Sequence, residues 1–168
     1  GCSDGHLLSE IRNRNASTSL LGLEYFDYHL KYAPENIKSD ITICDIRDDL
    51  SGDITDKFDV VVCTEVGEHI EAEYAEQMLS NIRHMMTKDS ILIMTWSRHG
   101  GLEEPHKDPL HQHLNPLQLD DFISLMQRNG FSLDVQASNI LRQATVGYKH
   151  TEFFFWWKES LTVWRLKS

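Results

Sequence analysis

Short β-branched or apolar runs alternate along the chain with longer polar segments of helical period, the pattern of an α/β domain with a mostly parallel sheet. Four runs predict strands: 19–24 (SLLGLE), 40–44 (DITIC), 58–63 (FDVVVC) and 90–95 (SILIMT). The last two are nearly unbroken, as in strands covered on both faces. Leu7, Leu8 and Ile11 share one face of a first helix. Tyr74, Ala75, Met78, Leu79, Ile82, Met85 and Met86 recur at spacings of three and four, which predicts an amphipathic helix whose methionines fill the core. A later helix is punctuated by Asn115 as N-cap and Pro116 in its first turn. Leu119, Phe122, Ile123 and Met126 form its buried side, and Gly130 stands where the chain must turn left-handed. A strand over 131–135 and a hairpin from 153–157 and 161–166 follow. The stretch 99–115 reads as a long loop, and loops of that length tend to carry function.

Composition narrows the class. The 168 residues suit one domain, 1–168. Burying roughly two-thirds of the unfolded surface lets such a chain form a core without staples. With 40% apolar and 25% charged residues it reads as a soluble globular protein. The longest apolar run, 153–157, falls far short of the ~18 residues of a membrane span, and no basic start precedes an apolar segment as in a signal peptide. A soluble, cytoplasmic protein with no membrane partner is expected. Lys+Arg 16 against Asp+Glu 26 gives a net charge of −10, which disfavours nucleic acid as a partner. Cys2, Cys44 and Cys63 form no CxxC pair, fitting a reducing compartment and small core residues.

Chemistry gathers where strands end. The opening GCSDG directly precedes a helix, and its small residues let backbone N–H groups approach a ligand at the helix N-terminus. A dinucleotide fingerprint wants glycine at the first, third and sixth positions; here these are Gly1, Ser3 and His6, so NAD fits badly. Glu24 ends the next apolar run, where an acid can accept hydrogen bonds from both ribose hydroxyls. Asp45 ends the run after it, with the adenine amino group as its expected partner. Glu65, Glu68 and His69, in EVGEH, stand at spacings that would put them on one helical face, and a downstream His111 or His113 would complete a set of ligands for one ion.

In this order of features the chain resembles the class I S-adenosylmethionine-dependent methyltransferases: glycine loop, two strand-end acids, then a strand beginning Phe-Asp in FDVVVCTEVGEHI. The likeness continues through TKDSILIMTW and HLNPLQLDDFISLMQRNGF and so covers essentially the whole chain. It implies a Rossmann-like three-layer α/β fold with an antiparallel C-terminal strand pair, and S-adenosyl-L-methionine as cofactor. By the same resemblance Gly1, Ser3 and Gly5 flank the methionine part, Glu24 holds the ribose, and Asp45 and Ile46 meet the adenine. Thr64 and Glu65 line the sulfonium side. Family members carry a further glycine where Ser3 stands and a hydrophobic strand before the loop. The expectation is therefore an N-terminally truncated member with a gap beside 20–23 and 60–62, open to strand exchange in a homodimer.

Glu-x-x-Glu-His is shared with ubiquinone-biosynthesis-type O-methyltransferases and small-RNA terminal 2′-O-methyltransferases, which implies a divalent metal (Mg2+ or Mn2+) on Glu65, Glu68, His69 and His113. In metal-free relatives Glu68 caps or pairs and His69 packs near the cofactor, so both readings stand. The catalytic candidates are His69 or His113 as base, with Glu68 orienting it. His99, His106, His111 and His113 lack a cysteine companion and suit an acceptor-site lid better than a zinc site. The 153–157 aromatics suit strand core or an oligomer contact better than acceptor stacking. The activity expected is O-methyl transfer to a small hydroxylated acceptor; the alternative is a truncated or inactive binding module without transfer.

Overall fold

The computed structural model describes residues 1–98, 112–145 and 160–167. The chain divides into two compact units, Gly1–Asp48 and Asp49–Ser168. In the first, the opening loop leads into helix α1 (His6–Arg14), followed by strands β1 (Gly22–Glu24) and β2 (Ile41–Ile43), which pair in parallel with Glu24 opposite Ile43. Gly5 starts α1 with a left-handed backbone (φ 77), and a Cβ there would lie 2.5 Å from the Ile37 side chain. Glycine is thus required twice over, by torsion and by space. Ala33, Ile37 and Ile41 form the buried core of this unit, with Cys2, Leu8, Leu20 and Leu30 against it. Strand β1 is shorter than the run 19–24 because the preceding backbone is used elsewhere: Arg12, whose second nitrogen reaches Asp40, donates to the carbonyl of Thr18.

The second unit holds a four-stranded sheet in the order β3-β4-β6-β5, from β3 (Phe58–Cys63), β4 (Met86–Met94), β5 (Phe131–Leu133) and β6 (Thr162–Leu166). Strands β3 and β4 are parallel, and β6 runs antiparallel to β4 and β5, so the sheet is mixed, with its antiparallel strand at the C-terminal end of the chain. Both edges of β6 are taken by β4 and β5 and not by a hairpin partner; 153–157 lie outside the described residues. Strand β4 begins earlier than 90–95 because its polar start bulges: Ser90 Oγ donates to the Phe58 carbonyl and accepts the Thr87 N–H, shifting the register after Phe58. The expectation that β3 is covered on both faces fails. Among the described residues it pairs with β4 alone, and Val60 and Val62 are 50% and 43% exposed.

Helix α2 (Ala75–His84) buries Ala75, Met78, Leu79 and Ile82, as its periodicity predicts, but stops before Met86, which enters β4. Helix α3 (Leu119–Arg128) buries Phe122, Leu125 and Met126 and ends before Gly130, which is left-handed as expected (φ 85). Its N-cap is Gln118, not Asn115. The Asn115 backbone is committed elsewhere, its N–H to the Glu68 carbonyl and its own carbonyl to the Trp96 indole N–H. Helix α4 (Val135–Thr145) replaces the end of the strand expected over 131–135. Asp134 causes the switch: its Oδ1 accepts the Ala137 N–H, capping the helix, while Oδ2 binds Arg165. The core of this unit gathers Met78, Leu79, Leu92, Met94, Trp96, Phe122, Met126, Phe131 and Trp164. No described helix is long and apolar enough to cross a membrane.

Candidate functional site

In the first unit the opening loop and both strand-end acids come together. Cys2 N–H donates to the Leu23 carbonyl and the Gly1 amino group to the same oxygen, which sets the loop against β1. Ser3 then adopts a left-handed backbone (φ 53) and aims its N–H at Glu24 Oε2, 2.7 Å away. Oε1 of Glu24 accepts the Phe26 N–H at 3.0 Å and lies 3.2 Å from His29 Nδ1. Burial alone would raise the Glu24 pKa; the N–H groups of Phe26 and Ser3, with the Gly1 amine and His29, hold it below its ordinary value. Because β1 and β2 are parallel and in register, Asp45 lies beyond the same strand ends as Glu24, and Cys44 N–H donates to the Glu24 carbonyl. Asp45 is gripped by Arg47, whose backbone N–H and Nε meet Oδ1 at 2.9 Å while Nη2 meets Oδ2 at 2.6 Å. These Arg47 hydrogen bonds, first among the causes, hold the Asp45 carboxyl below its usual range. Ile46 stands half-buried between the two.

The second unit builds a different kind of group. Beyond β3, half-buried Thr64 precedes Glu65, which is left-handed (φ 55) and locked by Thr95: the threonine Oγ accepts the Glu65 N–H at 2.9 Å and donates to Glu65 Oε1 at 2.7 Å. The segment after it is a 3-10 turn, Gly67–His69, so the expected helical face carrying Glu65, Glu68 and His69 does not form. A left-handed residue cannot continue a right-handed helix. Glu68 and His69 are nonetheless joined by His113. One potential ligand atom from each lies within 4.8 Å of the others, and Glu65 stays with Thr95.

Residues 112–115 deliver His113. The Leu114 and Asn115 N–H groups donate to the Glu68 carbonyl at 2.7 and 3.0 Å, and Trp96 Nε1 donates to the Asn115 carbonyl at 2.7 Å. Trp96 in turn packs on Gly67, where any side chain would collide with its ring. The His69 and His113 rings meet edge to face, 4.9 Å apart. His69 Nδ1 lies 3.0 Å from the Gln112 carbonyl, which only accepts, so the Nδ1–H donates to it. Glu68 is fully buried, and no well-formed hydrogen bond closes on either carboxylate oxygen, although the backbone N–H groups of Glu68 and Ser97 face the carboxyl and draw its pKa back down. Burial first, and then the neighbouring Glu65 carboxylate, push its pKa up to about 8. Burial likewise raises the Cys63 thiol to about 11, leaving it an inert core group. His99, His106 and His111 lie outside the described residues.

Within the first unit, then, two strand-end acids stand beside a small-residue loop, and within the second a buried carboxyl meets two imidazoles. The sequence signature of a methyltransferase domain matches residues 1–92, more than half of the chain. The chain belongs to the methyltransferase domain family. Its α/β, Rossmann-like architecture is that of class I S-adenosylmethionine-dependent enzymes, and family and fold together support S-adenosylmethionine as cofactor and methyl transfer as the activity. Among solved structures, this methyltransferase is similar to an S-adenosylmethionine-dependent methyltransferase from Clostridium acetobutylicum (TM-score 0.69, 11% identity, covering 99% of this chain and 82% of that one). It is also similar to a TehB-like S-adenosylmethionine-dependent methyltransferase from Corynebacterium glutamicum (TM-score 0.63, 16% identity, 99% of this chain and 77% of that one). The cyclase SpnF is similar too (TM-score 0.63, 13% identity, 99% of this chain and 73% of that one). At such identities the likeness is one of fold, and the cyclase illustrates that the fold alone does not fix the reaction. A comparison with curated protein sequences finds no match.

The site signals that sequence reading missed are Thr95 and Arg47. The only hint of Thr95 is its place at the end of the run 90–95, and that of Arg47 its spacing of two from Asp45.

Proposed function

We propose that the chain transfers the methyl group of S-adenosylmethionine to an oxygen of a small hydroxylated acceptor, with Glu68, His69 and His113 as the group that receives the acceptor. Cofactor contacts are assigned to Gly1, Ser3 and Gly5 for the methionine part, Glu24 for the ribose, and Asp45 with Ile46 for the adenine. Thr64 and Glu65 are assigned to the sulfonium side. The acceptor oxygen attacks the methyl carbon, the carbon–sulfur bond breaks with its electron pair passing to sulfur, and S-adenosylhomocysteine leaves. The acceptor proton goes to an imidazole. His69 suits this role because its Nδ1–H points at the Gln112 carbonyl, so that in the neutral ring Nε2 is the basic nitrogen. His113 is the second candidate, and Glu68 orients the pair. Alignment of nucleophile, methyl and sulfur supplies most of the acceleration, since little covalent chemistry is asked of the protein.

The observation that carries this reading is the convergence of a buried carboxyl with two imidazoles. The orphaned Glu68 oxygens favour a second reading of the same group, in which Glu68, His69 and His113 hold a divalent cation. Two imidazoles suit Mn2+ better than Mg2+. Such an ion, when bound, lowers the pKa of the acceptor hydroxyl. Glu65 supports this set less, being tied to Thr95.

The test is transfer of labelled methyl from S-adenosylmethionine into hydroxylated small-molecule extracts, with and without EDTA, for the wild type and for His69→Ala and His113→Ala. Transfer that survives EDTA but falls in the His69 variant supports the base reading. Transfer abolished by EDTA and restored by Mn2+ supports the cation. Binding of S-adenosylhomocysteine without any transfer would establish the alternative, a module that binds cofactor and has lost catalysis.

A further inference from the structure

We propose that Arg47 sets the base specificity of the nucleoside site, holding Asp45 as a fixed acceptor that takes a purine 6-amino group and refuses a 6-oxo group. The inference rests on the assignment of Asp45 to the adenine. Arg47 folds back on the acid two residues before it: its backbone N–H meets Oδ1 at 2.9 Å, Nε meets Oδ1 at 2.9 Å and Oδ2 at 3.0 Å, and Nη2 meets Oδ2 at 2.6 Å. A carboxylate offers about four lone-pair sites, and the fork plus the backbone N–H use about three of them. Three N–H hydrogens against four sites leave about one acceptor direction on the carboxylate. The carboxylate plane is set by the planar guanidinium, so that direction does not wander. The guanidinium itself is braced from its other side, with Cζ 5.5 Å from the centroid of the Tyr25 ring. Tyr25 is half-exposed, directly follows Glu24, and meets Phe26 edge to face at 4.8 Å. One side chain therefore ties the residue after the ribose acid to the base acid.

The chemical consequence is selective. The Asp45 carboxyl, held ionised mainly by the Arg47 hydrogen bonds, has no proton to donate. It can accept from an exocyclic amine, whereas a purine carbonyl oxygen brought to the same place would face lone pair against lone pair. Removing the fork leaves the charge but lets the carboxylate rotate, so the hydrogen bond to the amine weakens and the repulsion of the carbonyl is relieved.

The experiment is calorimetric titration of the full chain with S-adenosylhomocysteine and, separately, S-inosylhomocysteine, for the wild type, Arg47→Ala, Arg47→Lys and Asp45→Asn. The wild type is expected to prefer the adenosyl ligand by at least about tenfold, the size of one charge-assisted hydrogen bond. Arg47→Ala should lose most of that ratio, through weaker adenosyl and somewhat tighter inosyl binding. Arg47→Lys, which keeps the charge without the fork, should resemble it. Asp45→Asn, able to donate, should shift the preference towards inosyl. Circular dichroism confirms that each variant folds. An adenosyl preference unchanged in Arg47→Ala and Arg47→Lys overturns the role of Arg47 alone. Failure of the wild type to bind either ligand overturns the nucleoside assignment and this inference with it.

Discussion

Substituting Gly67 by alanine tests how the second unit assembles its carboxyl-histidine group. The backbone of Gly67 is not left-handed, so alanine would ordinarily be tolerated and even favoured by about 0.5–1 kcal/mol through the unfolded chain. Here the new Cβ would stand 2.5 Å from two carbons of the Trp96 ring and 2.8 Å from a third. Ordinary contact begins near 3.4 Å, so the ring must retreat by about 1 Å. Trp96 has little room to do so: it is 1% exposed, tilted against Phe122 at 5.5 Å, and fixed by its hydrogen bond to Asn115. Overpacking of a filled core costs about 1–3 kcal/mol. Losing the buried indole hydrogen bond adds about 1 kcal/mol. Subtracting the unfolded-chain gain leaves a net destabilisation of about 1–3 kcal/mol. Urea unfolding followed by circular dichroism measures it, with tryptophan fluorescence reporting the ring's displacement. Since Asn115 is two residues from His113, Mn2+ binding, where the wild type shows it, should weaken in parallel. A midpoint equal to or above that of the wild type would refute the argument that Gly67 is needed for the approach of Trp96.

Three further outcomes follow from the same structure. Ser3→Gly should raise stability by up to about 1 kcal/mol in thermal unfolding, because relief of a left-handed non-glycine backbone (roughly 1–2 kcal/mol) outweighs the added chain entropy; a lower melting temperature would count against it. For Glu68 the folded pKa of about 8 exceeds its ordinary 4.5, so the folded state retains a proton that the unfolded chain releases. Cation-free stability should therefore fall between about pH 4.5 and 8, by at most about 1.4 kcal/mol per pH unit, and Glu68→Gln should remove that slope; equal slopes in both proteins would contradict this. Val60→Lys, placing a charge on the edge of β3 that no described strand pairs, should reduce any concentration-dependent association seen for the wild type in light scattering, and unaltered scattering would show that this edge does not drive self-pairing.

Where local chemistry alone decides structure, the sequence is readable. FDVVVC folds as β3 with the expected bounds because a β-branched run favours extended backbone whatever lies beside it. Its burial is another matter, since that depends on neighbouring strands, and Val60 and Val62 are exposed. Gly130 and the apolar face of α2 are legible from spacing; in α3 Phe122 and Met126 are buried as expected, but Leu119 is 40% exposed and Leu125 is buried instead, and α4 is not legible. The apolar run 131–135 continues past Asp134, and only the side-chain cap on Ala137 converts its end to helix. At the site, Glu24 and Asp45 were legible as acids that end apolar runs. The company of Glu68 was only half legible: the EVGEH spacing suggested a helical face, but a left-handed Glu65 and a 3-10 turn replace it. His113 is held beside Glu68 by backbone bonds from Leu114 and Asn115, which no residue pattern encodes.

Those bonds end on the main-chain oxygen of Glu68, not on its side chain. Position 68 therefore does two separable jobs, and only one of them is written in the identity of its residue. An amide or a shorter acid placed there would change what the two imidazoles beside it can hold while the strip bearing His113 stayed docked. Chemistry at this spot can be rewritten without redrawing the scaffold around it.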